Sequence, residues 1–219
     1  MPYLITPLEA IQQRARQDKS SVSWFLDNWA LTGTLAIVNG VNDTAAGQDV
    51  AIVFVNADSG EDQNVMASTI VQNVQTLDVG DRLNLTLWLN ADNLINTVAA
   101  VNNNTIVVVH SVGPAILEPW IQHPNVTAVV WANLPGQESS NSIVDVLYGD
   151  VNPSGRLPYT IAKSADDYPA QPVTGGTEDD ILLVEYTEGV NIDHRHFDAV
   201  STCRASLGAV PDTVLAERY

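Results

Sequence analysis

An α/β fold with a mostly parallel sheet is the class this sequence predicts. Three observations predict it. Residues 51–55 are a short apolar run without polar alternation, the pattern of a buried strand, and 105–110 and 127–131 read as two further strands. Residues 90–101, between the first and second runs, and 137–147, after the third, carry apolar side chains at helical spacing. Strand and helix therefore alternate, which argues for βαβ units. Right-handed crossovers would then bring the loops after the strands to one edge of the sheet.

The elements follow in order. Thr6-Pro7-Leu8-Glu9 reads as a helix start. Thr6 is suited to cap, Pro7 to the first helical position, and Glu9 to reach back to the cap N–H. The helix is expected to run through residues 10–15 and stop near 16–20. Residues 22–41 are apolar and interrupted by Gly33 and Gly40, which predicts an irregular piece and then a helix near 31–38. After the strand 51–55, residues 56–60 are Asn, Ala, Asp, Ser and Gly, a turn composition. Residues 62–79 are polar, lack a clean period and read as a surface loop. Leu94, Ile95, Val98 and Val101 share one face of the next helix, and Asn104 is placed at its end before the strand 105–110. A short helix is expected over 115–122, closed by Pro124, and then the strand 127–131. Ile143, Val144 and Leu147 share a face of the helix 137–147, which Gly149 is suited to terminate. Residues 166–180 read as a linker-like loop, with Glu178-Asp179-Asp180 a solvated face.

Composition narrows the function. The chain has 219 residues, 45% of them hydrophobic, enough for a sizeable core; at this length roughly 70% of the unfolded surface is buried. With 9 basic against 26 acidic side chains the net charge is −17, which disfavours nucleic acid as a partner. No basic amphipathic helix suggests a membrane surface, and no apolar run reaches the ~18 residues a span needs. Cys203 is the single cysteine, so no internal disulfide can form. No positively charged then apolar leader is present at the N-terminus. Four glycosylation sequons begin at Asn42, Asn84, Asn103 and Asn125.

Glu61 is the candidate catalytic residue. It follows Asp58-Ser59-Gly60 just past the C-terminal end of a buried strand, where open α/β sheets place ligands. Glu138 is a rival carboxylate on the same rim, but its place at a helix start suits a cap or dipole role. Asp81 and Arg82 read as an ion pair or loop brace. His110 ends a strand and reads as a packed histidine with one satisfied nitrogen. His194 and His196 flank Arg195, and two ligands without a third do not make a metal site. Ser59 lacks the Gly-x-Ser-x-Gly elbow, and no Gly-x-Gly-x-x-Gly or Walker loop occurs, so no cofactor is expected. Trp88, Trp120 and Trp131 suit core packing more than sugar stacking.

Several segments together carry a resemblance. They are Phe25-Leu26-Asp27-Asn28-Trp29, the motif ending in Glu61, Gly80-Asp81-Arg82, His110-Ser111-Val112-Gly113-Pro114, Leu134-Pro135-Gly136-Gln137-Glu138 and His196-Phe197-Asp198. In this order they resemble the second, α/β-sandwich domain of secreted fungal glycoside hydrolase family 3 β-glucosidases, over residues 1–198, with residues 199–219 a non-family tail. The resemblance implies a three-layer α/β/α sandwich, truncated at both ends relative to the family domain. It also implies a retaining glycosidase acting on terminal β-D-glucosyl residues of β-glucosides or cello-oligosaccharides. Glu61 would be the acid/base, and the nucleophile an aspartate of a barrel domain that this chain lacks. The missing barrel, or self-association, would cover the exposed domain face, and the parent protein would be extracellular. Departures are the long segment 62–79, Asn133 and Ser140 in place of glycines, and Asn191 in place of an aromatic. They keep open an alternative, a non-catalytic carbohydrate-binding or interaction module derived from that domain.

Overall fold

The structure, a computed structural model, describes residues 3–27, 35–59, 64–71, 74–79, 84–171, 173, 181 and 183–199. Glu61, Gly33, Asp81, Arg82, Glu178-Asp179-Asp180, Cys203 and the tail from residue 200 lie outside the described residues. The chain divides into two compact units, Met1–Ser154 and Gly155–Tyr219.

The first unit is an α/β sandwich. Its helices are α1 (Pro7–Asp18), α2 (Leu35–Ala45), α3 (Ala91–Val101) and α4 (Ser139–Leu147). Its strands are β1 (Ala51–Ala57), β2 (Asn64–Val71), β3 (Val74–Val79), β4 (Thr105–Ser111) and β5 (Val126–Trp131). β1, β4 and β5 form a parallel sheet in the order β1-β4-β5. Val53, Val55 and Ala57 of β1 and Val107 and Val109 of β4 share one core with Val41 and Ala45 of α2 and Ile95 and Val98 of α3. Val108 projects to the opposite face and is also fully buried, so central β4 is covered on both sides.

Local chemistry explains the helix ends. The Thr6 hydroxyl accepts from Glu9 N–H while the Glu9 carboxylate accepts from Thr6 N–H at 2.8 Å, a reciprocal cap with Pro7 in the first turn. Gly149 follows α4 with φ +79 and donates to Val146 O at 3.1 Å, the left-handed stop glycine supplies at no steric cost. Arg14 ties α1 to the end of α4 by an ion pair with Asp150 and a cation–π contact of 4.6 Å with Tyr148.

Four expectations are corrected. Residues 64–71 and 74–79 are an antiparallel strand pair rather than a surface loop. Val65, Thr69, Ile70, Val71, Val74, Thr76 and Val79 give these segments strong β preference despite their poor alternation. Gly40 does not break a helix, because α2 runs through it to Ala45. A Cβ there would meet the Phe25 ring at 2.8 Å, so the glycine permits a close approach. Residues 115–122 hold one hydrogen-bonded turn rather than a helix, with Ile121 N–H donating to Leu117 O at 2.9 Å. Pro119 has no N–H and disfavours helical backbone in the residue before it. Finally, α3 stops at Val101, and Asn102 rather than Asn104 is its C-cap.

Asn102 organises the base of the sheet. It is 3% exposed, and its Nδ2 donates to Ala45 O at 3.0 Å and to Gln48 O at 2.9 Å. Its Oδ1 accepts from Asn104 N–H at 2.9 Å. One side chain thus joins the ends of α2 and α3 to the start of β4. Asn102→Ala is expected to destabilise the fold by about 1–3 kcal/mol, since buried polar groups lose their partners. Urea unfolding should show a lower midpoint with an unchanged slope.

Trp120 is 1% exposed and donates from Nε1 to Asp92 Oδ1 at 3.0 Å. Burial holds the Asp92 carboxyl above its ordinary range, and the indole N–H partly opposes this. A raised folded value means that ionising Asp92 costs stability. Its contribution is therefore present at low pH and lost as pH rises through and above the ordinary carboxylate range. Trp120→Phe removes the N–H that favours the charged form. Its destabilisation, roughly 1.5–3 kcal/mol for a bond to a charged acceptor, should be larger at neutral pH than near pH ~3. Equal losses at both would contradict this account.

Candidate functional site

Because β1, β4 and β5 are parallel, their C-terminal ends lie at one edge of the sheet. Ala57 pairs with Ser111, and Val109 pairs with Trp131. This rim is where open α/β sheets bind ligands, because the strand ends diverge into loops there.

The rim loops are pinned to the sheet by backbone hydrogen bonds. Trp88 N–H donates to Asn56 O at 2.9 Å, and Val112 N–H to Ala57 O at 3.2 Å. Ile116 N–H donates to Leu85 O at 2.8 Å, and Ala132 N–H to Val109 O at 2.8 Å. The chain leaves β1 through Asp58 and Ser59 and is back at the end of the same strand by Trp88. Ser59 N–H donates to Asp58 Oδ1 at 2.8 Å, the local side-chain bonding expected of that turn. Ser111 is fully buried; its hydroxyl donates to Gly113 O at 2.7 Å and shapes the loop after β4. Asn133, standing where the resembling family has glycine, adopts φ +50. Asparagine is among the few residues that tolerate that left-handed conformation.

The rival carboxylate has another task. Glu138 Oε1 accepts from the Tyr3 hydroxyl and Oε2 from Asn141 Nδ2 at 2.7 Å. The Tyr3 bond, then the Asn141 bond, hold its carboxyl below the ordinary range. It is an ionised anchor for the residues preceding α1, and it makes no side-chain cap bond at α4. Buried Ser140 acts with it, donating to Ile5 O. A general acid needs the opposite shift.

Remaining sequence candidates resolve into packing. His110 stacks on Phe54 with ring centroids 6.4 Å apart, and burial lowers its pKa. Its Nε2 is buried without a hydrogen-bond partner. Trp120 lies in the core, and Trp88 and Trp131 pack against it, consistent with the packing role expected of all three. In the second unit, Asp193 pairs with His194 Nδ1 and with Arg195 at 3.6 Å, and His196 meets Phe197 edge-on at 5.5 Å. Among the described residues no group of three or more His, Cys, Asp or Glu could hold a metal ion. Asn102 and Asp92 were not singled out by sequence reasoning. The polar run Asn102-Asn103-Asn104 closing an apolar helix was the available signal for the first.

Comparison with known proteins agrees with this architecture. The glycosyl hydrolase family 3 C-terminal domain matches residues 1–194. A β-glucosidase of Schizophyllum commune is 49% identical over 90% of this chain, which spans 94% of that sequence. The probable β-glucosidase A of Emericella nidulans is 46% identical over 90% of this chain, which spans 21% of that longer protein. Among solved structures, the β-D-glucoside glucohydrolase of Trichoderma reesei aligns with TM-score 0.70 and 44% identity, over 91% of this chain and 25% of its own. A glycoside hydrolase family 3 β-glucosidase of Neurospora crassa aligns with TM-score 0.74 and 44% identity, over 92% of this chain and 22% of its own. A match across nearly the whole described sandwich, in sequence and in fold alike, makes this chain a member of glycosyl hydrolase family 3, of which it carries the C-terminal domain.

Proposed function

We propose that this chain is the acid/base lobe of a β-glucosidase that removes terminal non-reducing β-D-glucosyl residues with retention of configuration. Glu61 is the proposed acid/base. The observation that carries the reading is the pinned rim. The segment holding Glu61 departs from the C-terminal end of β1 and returns to it at Trp88, at the ligand edge of a parallel sheet. The names of the relatives supply the substrate class, a β-glucoside.

Retaining hydrolysis needs two carboxyl groups about 5–5.5 Å apart across the sugar. One protonates the departing glycosidic oxygen while the other attacks the anomeric carbon. The first then takes a proton from water as the intermediate is hydrolysed. Glu61 can fill the first role only when desolvation or a neighbouring carboxylate raises its pKa, because a wet glutamate ionises near pH ~4.3. The resemblance assigns the nucleophile to the barrel lobe. This chain spans only 17–26% of the longer relatives and solved neighbours, so that lobe is the proposed partner. We place the parent enzyme outside the cell, on the resemblance to secreted enzymes and the four sequons.

A second reading is favoured by one observation, the β2–β3 pair that follows Glu61 where the family has a short loop. It makes the chain a sugar-binding module without turnover. Calorimetric titration with glucose and cellobiose separates the two: saturable binding to this chain alone supports the module, and a flat trace counts against it.

For the catalytic reading, this chain alone is expected to leave an aryl β-glucoside intact, and joining it to the barrel lobe of a relative should restore turnover. In the joined enzyme, Glu61→Gln should lower kcat on cellobiose about 10²–10⁴-fold, the usual contribution of a general acid. The loss should be smaller on a dinitrophenyl glucoside, whose leaving group needs no proton, and added azide should speed that variant. Robust hydrolysis by the isolated chain that Glu61→Gln abolishes would overturn the two-lobe scheme.

A further inference from the structure

We infer that Leu89 is a positioning residue for the proposed site: its confined left-handed backbone fixes where the segment holding Glu61 rejoins β1. Among the described residues, five other than glycine have φ between +50 and +59, namely Lys19, Leu89, Asn90, Asn133 and Asp193. Two of them are ordinary. Lys19 is the C-cap of α1, and Asp193 accepts from Arg195 N–H through its own carboxylate at 3.3 Å. The other three stand at the ligand edge of the sheet. Asn133 lies just beyond the end of β5, and Leu89 and Asn90 follow Trp88, whose N–H is bonded to Asn56 O. Strained backbone collects where function requires a fixed geometry.

Leu89 is the outlier of the three. Asparagine tolerates the left-handed region because its short side chain bonds locally, and Asn90 Oδ1 accepts from Asn93 Nδ2 at 2.6 Å. A leucine has no polar atom to do this, and its Cβ crowds the carbonyl that follows. Such a conformation persists only where the surroundings over-determine it. Here they do so from both sides. Leu87 and Ala91 are 3% and 2% exposed and anchor the turn in the core. On the strand side, Trp88 N–H donates to Asn56 O at 2.9 Å. On the helix side, Ala91 N–H donates to Trp88 O and Leu94 N–H to Asn90 O, each at 3.1 Å.

The left-handed region open to a residue with a Cβ is small, whereas glycine ranges over most of the map. Leucine in this well therefore gives the turn one backbone geometry, and the Trp88–Asn56 bond one place at the end of β1. Proton donation is sensitive to that placement, because a shift of about 1 Å in a reacting group can cost about 10²-fold. The catalytic part of this assignment rests on the acid/base reading of Glu61, and the backbone part does not.

Amide hydrogen exchange on the full chain tests the backbone. In Leu89→Gly, Trp88 N–H should exchange about tenfold faster while the amides of β4 are unchanged. Leu89→Val, whose branched Cβ fits the left-handed well worse, should show a larger effect, and Leu89→Asn should keep the wild-type rate. The same variants, joined to the barrel lobe of a relative, test the positioning. Leu89→Gly should lower kcat on cellobiose about 10-fold to 10²-fold with KM little changed, and leave turnover of a dinitrophenyl glucoside within about twofold. Leu89→Asn should retain both. A leucine that serves only to hold the fold would instead cost both substrates alike, and equal losses would sink the assignment. So would unchanged Trp88 exchange in both Leu89→Gly and Leu89→Val, or faster exchange with cellobiose turnover intact. If the joined wild type does not turn over at all, it is the two-lobe reading that has failed, and exchange at Trp88 still decides whether Leu89 confines the turn.

Discussion

Alignment of the strand beginnings is the constraint on which the rest of this structure depends. Three asparagines achieve it. Asn102 joins the ends of α2 and α3 to β4. Asn104 donates from Nδ2 to Asp49 O at 3.1 Å and offers its own carbonyl to Ala51 N–H at 3.0 Å, which starts β1. Asn125 O accepts from Thr105 N–H at 2.9 Å, which sets β4 against β5. A slip of one residue would turn Val107 and Val109 out of their core and exchange every rim residue for its neighbour. The polar network at one end of the sheet therefore decides which side chains emerge at the other. It can do so because every buried bond in it is satisfied, and a half-satisfied network would cost more than it specified.

Charge is used sparingly in the same way. With only 9 basic side chains in 219 residues, cations are structural resources. Arg14 alone meets Asp18 at 2.9 Å, pairs with Asp150 and lies over Tyr148. Exposed pairs of this kind are individually weak, but here one guanidinium links two helices. Glu138 does the corresponding work with neutral donors, Tyr3 and Asn141. The Arg14 bond to Asp150 and the Tyr3 and Asn141 bonds to Glu138 hold these two carboxyls below their ordinary range, which suits an anchor.

Much of this was legible in the sequence where local chemistry and periodicity agree. Thr6, Pro7 and Glu9 specify a helix start with no help from the rest of the chain, and the structure shows the cap they predict. The β-branched runs that became β1 and β4 read as buried strands and are, whereas the run that became β5 is a strand that stays partly exposed. The failures lie where long-range contacts decide. Gly40 reads as a break until the Phe25 ring is seen to need the space. Residues 64–79 look like a loop because strand pairing, not polarity, stabilises them. Asn102 and Asn104 are interchangeable as helix ends in sequence, and only the carbonyls of Ala45 and Gln48 distinguish them. At the rim, the Asp58-Ser59 turn was recognisable, whereas the Trp88–Asn56 and Ile116–Leu85 bonds that fix the neighbouring loops were not, because backbone pairing leaves no trace in side-chain identity.

What the sheet can supply to catalysis is position, and position alone does not make a general acid. A carboxyl group at the edge of this strongly acidic chain gains its proton near neutrality in two ways: loss of water around it, or a second carboxylate close by. In the proposed two-lobe scheme both would arrive together when an opposing lobe closes over a bound sugar, since the proposed nucleophile is itself a carboxylate about 5–5.5 Å away. On that scheme the second lobe would contribute more than the attacking group, because its approach would also tune the proposed donor on the first. An acid/base borne on one lobe and activated by another is held inert until the lobes meet. That is a physical reason for a hydrolytic site to be divided between two domains rather than built within one.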